Sequence, residues 1–213
     1  MVKVKICGIT NLEDAKDAVG SGCDALGFVF YKKSPRYISP KKVTQIVRGL
    51  PRQVIKIGVF VNARESFVKR VVKLCGLKML QFHGDESPQF VRRFSKYKVI
   101  KAFRVKDKLN LKDIYRYNVF AYLFDTYVPG KSGGTGKSLN WELVRHIDGL
   151  KRPVFLSGGL HAGNVEKAIE VAHPDWVDAS SSLEIRPGKK DPRKVKRFIQ
   201  AVKSRRGSYA GKR

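Results

Sequence analysis

The sequence is short of cysteine, of acidic residues and of long apolar runs, and each shortage excludes something. Its three cysteines, Cys7, Cys23 and Cys75, make no CxxC pair, and no His/Cys cluster stands at metal-ligand spacing, so neither a disulfide framework nor a metal site is expected. No stretch approaches the roughly 18 apolar residues needed to cross a bilayer. The N-terminal MVKVKICGIT alternates charged and apolar residues, where a secretory signal would carry about 7 to 15 apolar ones in a row. The expectation is a soluble, cytoplasmic protein without membrane association. Nucleotide-binding loops are missing too: no GxGxxG follows the first apolar run, and GGTGKS at Gly133 to Ser138 lacks the spacing of a Walker A loop.

The shortage of acid is the largest imbalance. Against 44 Lys and Arg stand 18 Asp and Glu, a net charge of +26. Such a field attracts anions, and it admits two readings: a polyanion or anionic substrate as partner, or a lysine-rich solvated surface. The basic residues spread over nearly every helical segment and form no RNP or zinc-finger motif, so nucleic acid is not an expected partner. Steering of a small anion fits either reading. No sequence feature points to a particular oligomeric state.

What is present is apolar material for one sizeable core, 42% of 213 residues. Short β-branched or aromatic runs alternate with segments whose apolar residues recur at three and four, the pattern of a parallel sheet wrapped in helices. Strands are expected near Val2 to Cys7, Ala25 to Phe30, Val54 to Val61, Met79 to Phe82, Val99 to Phe103, Phe120 to Asp125, Val154 to Leu156 and Trp176 to Asp178. Helix starts are signalled by Thr10 with Glu13 as a capping box, by Ser39-Pro40, by Asn140 and by Asp191-Pro192. Two buried stripes are legible, Val43, Ile46, Val47 and Leu50, and Val195, Phe198, Ile199 and Val202. Segments 127–138 and 184–190 read as extended loops, and 204–213 as a basic, frayed tail after one domain over 1–203. Eight equal pairs without a composition break favour an α/β single-domain (β/α)8 TIM barrel over an open flavodoxin-like or Rossmann sheet.

In such a barrel the site is built at the C-terminal ends of the strands. That rule selects Cys7, Arg36, His83, Asp125, the Ser157-Gly158-Gly159 turn and the Ser180-Ser181-Ser182 loop. Small residues after the seventh and eighth strands let backbone N–H groups approach an anion, which makes a phosphate cup of Gly158, Gly159, Ser180, Ser181 and Ser182. Taken singly, Cys7 could be a small buried hydrophobe, Asp125 a capping carboxylate, Arg36 a solvated loop charge and His83 a structural histidine.

Together these residues carry a resemblance. KICGIT at Lys5 to Thr10, GFVFYKKSPRYIS at Gly27 to Ser39, GVFVN at Gly58 to Asn62, QFHGDE at Gln81 to Glu86, the LFDT and GGTGK stretches around Asp125 and Gly134, LSGGL at Leu156 to Leu160 with Asn164-Val165, and DASSSLE with PGKKD resemble the phosphoribosylanthranilate isomerase family. The resemblance implies a cofactor-free Amadori rearrangement in tryptophan biosynthesis on a small phosphorylated substrate. It also implies that Cys7 is the general base and Asp125 the general acid, that Arg36 meets the anthranilate carboxylate, that His83 lies at the site, and that the late loops hold the phosphate. Ser182 departs from the family's usual glycine, placing a Cβ where positive φ is expected. Leu139-Asn140 departs from the usual Phe-Asp before Trp141.

Two alternatives stand beside this. Another phosphoribosyl aldose-ketose isomerase on a related barrel would use paired aspartates, against which Cys7 argues. A polyanion-binding protein on a barrel scaffold would need neither Cys7 nor Asp125. The charge yields a test: kcat/KM for a phosphorylated, carboxylated substrate should fall between about 20 and 300 mM salt, since the screening length is roughly 10 Å at 0.1 M. A flat profile would leave the basic surface no part in substrate capture, and tight RNA binding at physiological salt would favour the polyanion reading.

Overall fold

The computed structural model describes residues 1–106, 109–126, 141–145 and 151–204. Eight parallel strands close on themselves: β1 (Lys3–Cys7), β2 (Ala25–Val29), β3 (Ile55–Phe60), β4 (Met79–Phe82), β5 (Lys98–Val105), β6 (Ala121–Thr126), β7 (Val154–Leu156) and β8 (Trp176–Ala179). Closure is made by β1, which pairs β2 on one side, Cys7 opposite Gly27, and β8 on the other, Lys5 opposite Asp178. The helices are α1 (Leu12–Gly20), α2 (Pro40–Arg48), α3 (Glu65–Cys75), α4 (Pro88–Arg92), α5 (Leu111–Tyr115), α6 (Glu142–Arg145), α7 (Val165–Ala172) and α8 (Pro192–Lys203). The expected (β/α)8 barrel is therefore the observed one, with strand ends moved by one or two residues; β5 alone is markedly longer than its apolar run. Among the described residues no helix is long and apolar enough to cross a membrane.

The two-residue period of each strand sorts side chains into two cores. Outward residues such as Leu26, Phe28, Phe60 and Phe124 pack under the helices, together with the expected stripe of α8, Val195, Phe198, Ile199 and Val202, all buried. Each such side chain contributes about 1.5–3 kcal/mol by leaving water. Val43, Ile46 and Leu50 bury as expected, while Val47 is only partly covered. Inward residues Ala25, Ile57, Met79, Ile100, Leu123, Phe155 and Trp176 form an apolar floor inside the barrel. Toward the C-terminal end of the strands the same inward rows change character, to Lys5 and Cys7 on β1, Gln81 on β4, Asp125 on β6 and Asp178 on β8, all buried.

Two caps are as expected: Ser39 accepts from Lys42 N at 3.4 Å, and Asp191 accepts from Arg193 N at 2.9 Å. The first is corrected. Thr10 does not cap α1, because its hydroxyl donates to the carbonyl of Gly188; Asn11, one residue later, accepts from Asp14 N at 2.8 Å, and Glu13 pairs with Lys189 at 2.7 Å. Segment 184–190 is likewise no plain loop but an antiparallel hairpin, β9 (Glu184–Arg186) and β10 (Lys189–Lys190), turned at Gly188 with φ +81°. Its lysines are tied down by Asp14, to which Lys190 N donates at 2.7 Å, and that tie is invisible in local sequence. The expected Asn140 cap, the 127–138 loop with Gly134, and 205–213 of the tail lie outside the described residues.

One buried carboxylate holds the turns after β3 and β4. Glu86 accepts from Asn62 N at 2.9 Å, from Gly84 N at 3.0 Å and from Lys101 Nζ at 3.0 Å. Removing it strands a buried ammonium and two amides at once, so Glu86→Ala should lower unfolding stability by about 3 kcal/mol or more. Urea denaturation measures this, and a loss under about 1 kcal/mol would mean that the carboxylate does not clamp these turns.

Candidate active site

All the residues selected from the sequence sit at the C-terminal mouth of the barrel. Cys7 ends β1 and is buried against Val29 and Val59. The Gly8 that follows, at φ +76°, has room for no side chain, since a Cβ there would stand 2.6 Å from Arg36 Cδ and 3.0 Å from Ser180 Oγ. Close approach at this one glycine draws the second and eighth loops over the base of the first. Ser180 Oγ in turn donates to the Cys7 carbonyl at 3.0 Å.

Burial pushes the Cys7 thiol above its ordinary range; Lys5 and Lys190 pull against this, and the Asp178 carboxylate adds to it. Arg36 is occupied elsewhere, donating from Nε at 2.8 Å and Nη2 at 2.7 Å to the two oxygens of Glu184. Glu184 also receives Lys190 Nζ at 2.8 Å. Its fork thus fixes the guanidinium plane and leaves the remaining edge of Arg36 for another anion.

On the opposite wall Asp125 stands one residue before the end of β6, buried, with His83 Nε2 3.3 Å from its Oδ2. That contact is close without being aligned as a hydrogen bond, and His83 Nε2 has no hydrogen-bond partner among the described residues. Gln81 Nε2 lies 2.8 Å from His83 Nδ1. With Gln81 donating, a neutral His83 carries its proton on Nε2, on the side of Asp125.

A cavity between β6, β7 and β8 is lined by Asp125, Ser157, Gly158, Gly159, Leu160, Asp178, Ala179 and Ser180 to Ser182. Gly158 at φ +95° and Gly159 at φ +64° use the left-handed region that favours glycine. Asn164 accepts from His161 N at 2.8 Å and donates to Gly159 O at 3.1 Å, which fixes the turn into α7. Ser181 to Leu183 make one 3-10 turn. The expectation that position 182 needs positive φ is overturned: Ser182 lies in that right-handed turn, and among the described non-glycine residues only Asn62 and His173 have positive φ. Its hydroxyl donates to the Leu160 carbonyl, so the serine ties the two halves of the cup together.

Two mouth residues were not singled out from the sequence, Lys5 and Asp178. They form a buried ion pair at 2.6 Å. The signal was alternation: Asp178 is two residues past the inward Trp176, and Lys5 two before Cys7. Among the described residues no group of three or more His, Cys, Asp and Glu is placed to hold a metal.

Comparison with known proteins bears on this geometry. The family model for N-(5'phosphoribosyl)anthranilate (PRA) isomerase matches residues 4–201. An N-(5'-phosphoribosyl)anthranilate isomerase of Citrifermentans bemidjiense is 48% identical over 206 residues, 95% of this chain and 98% of the relative. One from Thermotoga neapolitana is 48% identical over 204 residues, 95% and 99% of the two chains. The crystal structure of phosphoribosyl anthranilate isomerase from Thermotoga maritima superposes with TM-score 0.87 at 44% identity, covering 96% of this chain and all of that one. Another, in complex with reduced 1-(o-carboxyphenylamino)-1-deoxyribulose 5-phosphate, does so with TM-score 0.84 at 42% identity, with the same coverage.

The Glu184 cluster predicts a pH effect. Burial raises the Glu184 carboxyl, but Arg36 and Lys190 outweigh this and hold it below the ordinary glutamate range. A carboxyl lowered by folding stabilises the fold above its unfolded-state value, about 4.3, and that contribution disappears as pH falls through the folded value. The urea-midpoint advantage of wild type over Glu184→Gln should therefore be full at pH 6 to 7 and shrink steadily below about pH 4.3. An advantage that grew with acid would reverse the assigned sign.

Proposed function

The chain belongs to the N-(5'-phosphoribosyl)anthranilate isomerase family, and from that membership we propose how its residues divide the reaction. The enzyme performs an Amadori rearrangement of N-(5'-phosphoribosyl)anthranilate to 1-(2-carboxyphenylamino)-1-deoxyribulose 5-phosphate in tryptophan biosynthesis. The observation that carries the division is the placement of Cys7 at the end of β1 and of Asp125 one residue before the end of β6, around one mouth, with the cup of β7 and β8 between them.

The phosphate sits in the cup, against backbone N–H groups after Gly158 and Gly159 and around Ser180 to Ser182. The anthranilate carboxylate takes the edge of Arg36 that Glu184 leaves open. Asp125, carrying a proton, delivers it to the furanose ring oxygen; the C1–O bond breaks and C1 becomes the iminium of a Schiff base. His83 faces the carboxylate that is left and steadies it. Cys7, as thiolate, then removes the proton from C2, and the C–H electron pair flows into the iminium to give an enolamine. Tautomerisation of the enolamine to the ketone completes the reaction. The substrate's own iminium is the electron sink, so the chemistry calls for no cofactor. The reading includes a cytoplasmic location and gives nucleic acid no role.

The direct test is to generate phosphoribosylanthranilate in situ and follow loss of its fluorescence. No turnover above the uncatalysed background would sink the reading. Cys7→Ala and Asp125→Asn should each lower kcat by at least about 100-fold, the usual worth of one positioned acid or base, with unchanged circular dichroism. Near-normal kcat in either variant would remove that residue from its role.

A further inference from the structure

Inside the barrel mouth the buried pair of Lys5 and Asp178 is left without a part in this chemistry. Lys5 is 0% exposed, and its ammonium lies 2.6 Å from Asp178 Oδ2, while Asp178 Oδ1 is buried and has no hydrogen-bond partner among the described residues. A buried ion pair is no efficient way to fill a barrel, because well-packed apolar side chains of similar volume are commonly as stable or more so. The layer below, with Ile57, Leu123 and Phe155, is filled in that way.

The pair stands beside the thiol by construction. Lys5 and Cys7 are two residues apart on β1 and share the inward face. Across from them β2 carries Gly27, paired with Cys7. A Cβ on Gly27 would stand 2.7 Å from Cys7 Sγ and 3.2 Å from Lys5 Cε, so the thiol and the lysine stem occupy one shared space over a glycine.

We infer that Lys5, oriented by Asp178, is the counter-cation of the Cys7 thiolate and so a positioning residue for the base; the inference rests on Cys7 having that role. The other cations near the mouth are engaged. Arg36 is held on both oxygens of Glu184, and Lys190 by Glu184 Oε1 at 2.8 Å and the Ser180 carbonyl at 3.2 Å. The groups that bear on Cys7 are Lys5 from its own strand, Asp178 from β8 and Lys190 from β10; Asp125 from β6 and His83 after β4 act on Asp178. Of the cations opposing the burial of the thiol, Lys5 acts most strongly. Asp178 works in two directions. It aims the ammonium, and its own negative charge disfavours the thiolate.

Those opposite signs make the test. Alkylation of Cys7 by iodoacetamide, quantified on its peptide in the intact protein across pH 6 to 10, reports the thiolate without any turnover. In Lys5→Met the midpoint should move to higher pH, with the rate at pH 8 lower by roughly fivefold or more; in Asp178→Asn it should move to lower pH. A purely structural role would move both variants the same way. Asp178→Asn keeps shape and carries the test by itself should Lys5→Met fail to fold. An unmoved midpoint in Lys5→Met, or an unmoved or raised one in Asp178→Asn, overturns the inference. With Cys7 as base, kcat/KM falls at acid pH as the thiolate is protonated, and this acidic limb should follow the alkylation midpoint in each variant. If alkylation moves and the limb does not, the pairing of Lys5 with Cys7 stands and the role of Cys7 as base falls.

Discussion

A closed parallel barrel gives each strand side chain two destinations, the helices outside or the axis inside, and everything in this molecule follows from how the inward rows are filled. Along β6 that row runs Ala121, Leu123, Asp125, and along β8 Trp176, Asp178. The lower members exclude water and fix the distance between opposite walls. The upper members inherit that rigidity, which is why carboxylates on strands as far apart as β6 and β8 act on one another within a single cavity.

The same constraint explains the electrostatics. Buried titratable groups are costly unless paired, and at the mouth nearly every one has a stated companion: Lys5 with Asp178, Glu184 with Arg36 and Lys190, Glu86 with Lys101, and His83 beside Asp125. A +26 chain thus places its scarce carboxylates where a cation has to be held, while much of the basic excess lies exposed on helices such as α8.

Strands and helices were legible in the sequence because period and capping are local. Trp176 and Val177 read as strand, and Ser39-Pro40 as a helix start, from their neighbours alone. The misreadings are of a single kind. Thr10 looked like a cap because Glu13 stands three residues on, yet both side chains answer to the hairpin about 175 residues away. Arg36 taken singly looked like a solvated loop charge, while its partner Glu184 stands 148 residues further along the chain. Lys5 was in view inside KICGIT without a role, since nothing local says that Asp178 lies opposite. Likewise the φ of Ser182 is set by the turn around it and not by the residue type usual there.

Those long ties meet at one seam, where the chain's first unit is sewn to its last. Thr10 reaches Gly188, Lys190 N reaches Asp14, Ser180 reaches the Cys7 carbonyl and Lys5 reaches Asp178. During synthesis the first strand leaves the ribosome with its thiol and ammonium already adjacent, but their orienting carboxylate is made about 170 residues later. Contacts of such sequence separation form late, after the loop-closure entropy of almost the whole chain has been met. Half-made barrels would hold Lys5 without its counter-ion and leave the Cys7 carbonyl without its Ser180 tie, so completion of the ring and closure of the mouth around the thiol become one event.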